Sequence, residues 1–192
     1  SAYSTDVGTT HISIVDTWGN AVSLTATIES AFGAQRMASG FLLNNELTDF
    51  SFVPTINGRP VANAVAPRKR PRSSMSPTIV TDREGELVLV IGSPGGSDII
   101  GYVSRATIGI LDWNLPVAEA LALGNATARF PVVEAEAQRW PDDVAETLRA
   151  RGWRIEPTTG WSGLHAIRVT PSGLEGGADP RGEGSVARLA PQ

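Results

Sequence analysis

Apolar and polar residues alternate along residues 11–15, His-Ile-Ser-Ile-Val, and again along residues 21–28, with Asp16, Gly19 and Asn20 between them. Period-two alternation on either side of a Gly-Asn turn predicts a β-hairpin. Residues 41–43, Phe-Leu-Leu, predict a short buried run ending in Asn44-Asn45. Residues 51–72 hold four prolines and Asn57-Gly58, the composition of a loop. A second hairpin is predicted over residues 75–80 and 87–91, turning through Asp82-Arg83-Glu84-Gly85. The period then changes. Ile99, Ile100, Val103, Ala106, Thr107, Ile110 and Leu111 fall at helical spacing, behind Ser97 or Asp98 as the natural N-cap. Pro116 at a first helical position predicts a helix through Leu123, and Pro141 and Gly152 bracket a third over residues 142–151. Strands return over residues 164–169 and 174–176, and Gly, Pro and charge accumulate after Gly176.

The order is strands, helices, strands, and the strands come as hairpins. That predicts an α+β fold of antiparallel sheets with helices packed outside them. Two stacked sheets between helix layers is one solution, for which this chain alone supplies few strands.

Composition narrows the chemistry. A chain of 192 residues suits one good-sized domain or two very small ones. The net charge of -4 offers nucleic acid no global attraction, and the basic run Arg68-Lys69-Arg70-Pro71-Arg72 reads as a solvated loop. The absence of cysteine excludes disulfides and thiolate catalysis. His11 and His165 are far apart in sequence, with no HExxH pair, so no metal site is expected. No apolar run approaches a membrane span.

Four stretches carry candidate chemistry. Gly8-Thr9-Thr10-His11 reads either as a strand edge or as a cleavage site. Cutting Gly8-Thr9 would give Thr9 a free α-amine beside its own hydroxyl, and a hydroxyl needs a base within reach. That amine, with a reference pKa of about 8, could serve once desolvation lowers it. Gly95-Gly96 ahead of a helix reads as a tight turn or as two N–H groups aimed at an oxyanion; the GxGxxG, GxxxxGK[ST] and GxSxG patterns are missing. Ser73, Ser74 and Ser76 are structural caps or binders of a carboxylate. Glu46 and Asp49, three apart, either cap a turn or hold an ammonium, and Glu29 follows Thr27 by two on one strand face.

Together, GTTHISIVDTWGNAVSLTATIE, GFLLNNELTDFSF, ANAVAPRKRPRSSMSPTIV, IGSPGGSDII and GGADPR resemble the γ-glutamyltransferase family, glutathione hydrolases of the N-terminal-nucleophile superfamily, in family order over nearly the whole chain. The resemblance implies part of an αββα sandwich. It implies a precursor that cuts itself into a large and a small subunit, residues 1–8 being a residual pre-cleavage segment and residues 9–192 the small catalytic subunit. It assigns Thr9 as nucleophile and Gly8-Thr9 as the cleavage site. Thr27 becomes the hydroxyl bonding the nucleophile, and Gly95 and Gly96 the oxyanion hole. Glu29, Glu46 and Asp49 become the ammonium site, and Ser73 and Ser74 the carboxylate site. The implied substrate is a small γ-glutamyl compound such as glutathione, with no cofactor.

Three departures qualify that picture. Many members have asparagine where Glu29 stands, though others have glutamate. Residues 52–61 are shorter than in members with a lid, which opens the site to bulkier substrates. Eight residues precede Thr9, whereas a mature subunit would begin there. The partner implied is the large subunit, which carries the arginine gripping the substrate carboxylate, so this chain alone is expected to be inactive. A periplasmic or secreted location follows from the resemblance, with a cytoplasmic one open. The alternatives are a cephalosporin or glutaryl acylase of the same family, a catalytically inert fragment, and a nucleotide-binding module using residues 92–98.

Overall fold

The computed structural model describes residues 7–159 and 161–189, so residues 1–6 of the expected pre-cleavage segment lie outside the described residues. β1 (Val7–Val15) and β2 (Ala21–Ser30) form the first hairpin, antiparallel, with Thr9 opposite Thr27, His11 opposite Thr25 and Ser13 opposite Ser23. Asp16 closes it. Its carboxylate accepts the N–H groups of Trp18 at 2.9 Å and Asn20 at 2.8 Å, an Asx turn that ends β1.

The loop region carries two small ribbons, β3 (Met37–Ala38) with β4 (Phe41–Leu42), and β5 (Thr55–Ile56) with β6 (Arg59–Pro60). A single 3-10 turn, Glu46–Asp49, lies between them. The expected burial of residues 41–43 is corrected here. Phe41 is 75% exposed, and Leu42 and Leu43 are exposed as well. A two-residue strand has one partner strand and no sheet behind it, so its apolar side chains stay at the surface.

The main sheet is antiparallel, in the order β13 (Gly173–Ala178), β12 (His165–Thr170), β8 (Leu87–Gly92), β7 (Thr78–Thr81). β8 is covered on both faces: Leu89, Val90 and Ile91 are fully buried. On one face Leu89 and Ile91 pack with Ile99, Val103, Ala106 and Ile110 of α1 (Ile99–Leu111) and with Val117 and Leu121 of α2 (Val117–Ala122). The other face receives the β1–β2 hairpin. Ser23 donates to the Ile91 carbonyl at 3.0 Å and Ser13 to the His165 carbonyl at 3.3 Å. Of the positions that predicted α1, Ile99, Val103, Ala106 and Ile110 are buried against the sheet, while Ile100 is 54% exposed. Asp98 takes the expected N-cap position but makes no side-chain capping bond; its carboxylate pairs with Arg129 instead. Pro116 precedes α2 and does not open it.

A third sheet, in the order β11 (Arg154–Thr158), β10 (Val132–Glu136), β9 (Ala126–Arg129), was not foreseen. β10 and β11 run parallel, with α3 (Asp142–Ala150) as the crossover. The expected stacking of mainly antiparallel sheets with helices outside is present. Among the described residues, α1 and α2 form the helix layer, and the outer face of the hairpin shows Ile12, Ile14, Val22 and Leu24, each about half exposed.

Candidate active site

The site is built around an irregularity in the hairpin. Val7 faces Ser30 and Thr9 faces Thr27, so two steps on β1 match three on β2. The extra residue falls at Ile28-Glu29, and Glu29 takes a positive φ of 73°. That is a β-bulge with a non-glycine residue in the left-handed region, a strained arrangement. Gly8 lies directly across. A Cβ there would meet the Ser30 carbonyl oxygen at 2.4 Å, so only glycine lets the backbones approach.

Thr9 and Thr27, predicted as nucleophile and partner, touch. The Thr9 hydroxyl donates to Thr27 Oγ1 at 2.9 Å, and Thr27 Oγ1 also receives the Glu29 N–H at 2.8 Å. Thr27 Oγ1 in turn donates to the Gly8 carbonyl at 3.3 Å. His11, two residues further along the same strand face, is not part of this group. Its Nδ1 bonds Thr25 Oγ1 at 2.8 Å and its Nε2 bonds Ser13 Oγ at 3.1 Å. Burial, and then the neighbouring His165, hold its pKa down to about 4, so it is neutral near pH 7.

Glu29, Glu46 and Asp49 converge. Burial, then Asp49, then Glu29 push the Glu46 carboxyl above its ordinary range. Burial and then Glu29 do the same to Asp49, with Arg72 opposing. Glu46 Oε1 is buried and has no hydrogen-bond partner among the described residues. Three mutually repelling carboxylates with an unused buried oxygen form a site suited to a cation. Among the described residues, no group of three or more His, Cys, Asp or Glu side chains is set to hold a metal ion.

The segment bearing Ser73 and Ser74 is tied to this turn. Asn63 donates to the Asp49 carbonyl at 2.6 Å and accepts the Arg72 N–H at 3.0 Å. Ser73 Oγ accepts the Met75 N–H at 3.2 Å, a local turn of the kind expected of a structural cap, and the Ser74 carbonyl accepts the Ser76 hydroxyl at 3.0 Å. Neither serine bonds Thr9.

Gly95 and Gly96 follow β8. Ser23 lies over Ile91 and the His11 ring lies against Gly92, so one step further along the hairpin puts Thr9 and Thr27 toward residues 93–96. Gly95 has φ 139°, and a Cβ on it would strike the Tyr102 ring at 2.6 Å. The loop is braced from behind: Ser93 Oγ accepts the Gly163 N–H at 3.3 Å. Asp179 Oδ2 accepts the Ser162 hydroxyl at 2.5 Å. Arg181 bridges Asp179 at 2.9 Å and Glu136 at 2.7 Å. The GGADPR motif is thus a buried brace.

Sequence reasoning passed over Asn45. Its N–H donates to the Ile28 carbonyl at 3.2 Å and its Oδ1 accepts the Ser30 N–H at 3.0 Å. Its Nδ2 donates to the Glu29 carboxylate and, at 3.1 Å, to Thr48 Oγ1. The available signal was the Asn-Asn pair before Glu46, a residue type that bonds nearby backbone. A cavity of about 150 Å³ is lined by His11, Ser13, His165, Gly177 and Val186, and Thr9, Thr27, Glu46 and Asp49 are not among its lining residues.

The family model described as gamma-glutamyltranspeptidase matches residues 2–189. The chain is 42% identical to the glutathione hydrolase proenzyme of Pseudomonas aeruginosa, over 92% of this chain and 34% of that protein. It is 41% identical to that of Escherichia coli, over 90% and 31%. It therefore spans about a third of the length of these curated relatives. In structure it resembles γ-glutamyltranspeptidase from Pseudomonas nitroreducens complexed with L-DON, with a TM-score of 0.82 at 38% identity, covering 94% of this chain and 100% of that one.

Proposed function

The chain belongs to the γ-glutamyltranspeptidase family, and from that premise we propose that it is the nucleophile-bearing part of a precursor that cuts itself before Thr9 and then cleaves γ-glutamyl amides. The observation that carries this reading is the full use of the Thr27 hydroxyl. A hydroxyl has one proton and two lone pairs. Thr9 and the Glu29 N–H fill both lone pairs, so the proton of Thr27 goes to the Gly8 carbonyl. The Thr9 proton then points at Thr27, and the Thr9 oxygen keeps its own lone pairs for the adjacent Gly8 carbon.

Attack there forms a C–O bond while Thr27 steadies the developing oxyanion. The Gly8–Thr9 C–N bond breaks, and the amine nitrogen takes up the hydroxyl proton. Water then hydrolyses the resulting ester, leaving a carboxylate on Gly8 and a free α-amine on Thr9. That amine is the base for later turnovers. In each turnover Thr9 Oγ1 attacks the γ-carbonyl of the donor, whose amine leaves protonated, and the glutamyl group passes to water or to another amine.

The acidic cluster of Glu29, Glu46 and Asp49 supports a donor with an α-ammonium, and the unused Glu46 oxygen is the natural acceptor. Ser73 and Ser74 are assigned to the α-carboxylate, and the Gly95 and Gly96 N–H groups to the oxyanion. The rest of the precursor is the partner. In support, the chain matches a third of each proenzyme yet the whole of a separate chain in a solved relative. The half-exposed Ile12, Ile14, Val22 and Leu24 are a face suited to it.

The test uses the full-length precursor. Thr9→Ala should abolish both self-cleavage, read by intact mass, and hydrolysis of a γ-glutamyl anilide. The native enzyme should favour γ-glutamyl over glutaryl anilides. Processing that survives Thr9→Ala, or a strong glutaryl preference, overturns the reading.

A further inference from the structure

We propose that Asn45 is a positioning residue that sets the cleavage geometry and the acidic cluster together, through Glu29. Glu29 holds a left-handed conformation that a side chain other than glycine adopts only when its surroundings impose it. Asn45 supplies that constraint from both sides. It donates to the carbonyl of residue 28 and accepts the N–H of residue 30, so the backbone of Glu29 is clasped between two bonds to one residue.

The clasp aims the Glu29 N–H at Thr27 Oγ1, 2.8 Å away. Were that N–H to swing off, a lone pair of Thr27 would be free, and its proton would no longer be directed to the Gly8 carbonyl. The Asn45 amide also donates to the Glu29 carboxylate, which the Ser30 hydroxyl joins at 2.7 Å. These donors fix one of three like charges that would otherwise spread apart.

The two ends of the Asn45 side chain therefore do separable jobs. Oδ1 holds the bulge, and Nδ2 holds the carboxylate. Asn45→Asp keeps an acceptor for the Ser30 N–H, loses the donor, and adds a fourth carboxylate. Asn45→Ala loses both.

Only the substrate half of this inference rests on the γ-glutamyl reading, and the experiment separates the two. In the full-length precursor, N45A should slow self-cleavage about tenfold and raise KM for a γ-glutamyl anilide about tenfold, the scale of one lost hydrogen bond to a charged group. N45D should cleave itself at nearly the native rate, show the raised KM, and move the acid limb of kcat/KM to higher pH. If N45A does not fold, N45D decides by that split. Native cleavage and native KM in both variants would overturn the inference. So would equal loss of cleavage in N45D and N45A with KM and pH profile unmoved. If the native protein cleaves itself but leaves γ-glutamyl anilides intact, the substrate reading fails, while the cleavage rates still judge Asn45.

Discussion

The Thr27 hydroxyl donates to the Gly8 carbonyl oxygen at 3.3 Å while holding the Thr9 hydroxyl at 2.9 Å. One side chain thus touches the electrophile and the nucleophile of the same bond. Thr27→Val keeps the β-branched shape and removes the oxygen. Self-cleavage of the precursor should slow about 10²–10³-fold, as for loss of one oxyanion donor. Thr27→Ser should restore most of the rate. Time courses of intact mass check both, and a native rate in Thr27→Val would remove Thr27 from the mechanism.

Glu46 is expected to affect stability and binding in opposite directions. Its carboxyl is raised by burial, Asp49 and Glu29, so the folded state holds its proton to higher pH than the unfolded chain does. Stability from this group is present at low pH and lost as pH rises through the raised value. Glu46→Gln should therefore raise Tm at neutral pH. A donor ammonium needs the charge, so the same variant should raise KM for γ-glutamyl substrates about tenfold. In the native enzyme, KM should climb on acidification from a pH above the ordinary carboxylate range. A Glu46→Gln enzyme with unchanged KM would show that no ammonium meets this oxygen.

Arg181 is 6% exposed in its side chain and bridges Asp179 and Glu136, themselves 0% and 10% exposed. It also donates to the Leu121 and Leu123 carbonyls at the end of α2, at 3.1 and 2.8 Å. Removing one partner strands the others in a poorly solvated place. Arg181→Ala should destabilise the protein by about 3–5 kcal/mol. The denaturation midpoint of the precursor measures it. Asp179 also anchors Ser162, whose neighbour Gly163 bonds Ser93, so the loop carrying Gly95 should become more accessible to protease in the variant.

α1 was legible because it buries one face, and burial writes its period into the sequence. The first hairpin was legible from its alternation alone: the apolar positions Ile12, Ile14, Val22 and Leu24 are about half exposed, and the polar His11, Ser13 and Ser23 meet the sheet. Thr9, Thr27, Glu46 and Asp49 were legible as chemistry because hydroxyls and carboxylates at such spacings have few uses. Asn45 was not, because its role lies in bonds to the backbone of another element, which leave no periodic trace. The parallel pair β10 and β11 was missed for a related reason. Its strands are five residues each and only Val133, Ala135 and Glu136 are buried, too few positions to establish an alternation. The apolar residues 41–43 misled in the opposite direction, since apolarity marks burial only where an element stands ready to cover it.

His11 gives the hairpin an acid limit. The ring is 5% exposed, lies against Gly92, and stacks on His165 with centroids 6.5 Å apart. Its neighbours are Thr25 and Ser13, which are uncharged, and His165; Asp179 acts on His165. Burial and then His165 bring its pKa to about 4 from an ordinary 6.5. Between those values the unfolded chain binds the proton and the folded chain does not. Stability therefore rises with pH across that window and is lost as pH falls through it. Thr9 is two residues from His11 on the same strand face, so the loosening should reach the cleavage site. Melting followed by circular dichroism should show Tm of the precursor falling steadily from about pH 6.5 to about pH 4. His11→Gln, which keeps hydrogen bonds toward Thr25 and Ser13 but cannot take a proton, should flatten that fall. The slope that remains combines His165, lowered by burial in its turn, with the opposing contribution of Glu46 and Asp49, whose raised carboxyls add stability as pH falls. Equal slopes in the native protein and His11→Gln would assign the acid sensitivity elsewhere.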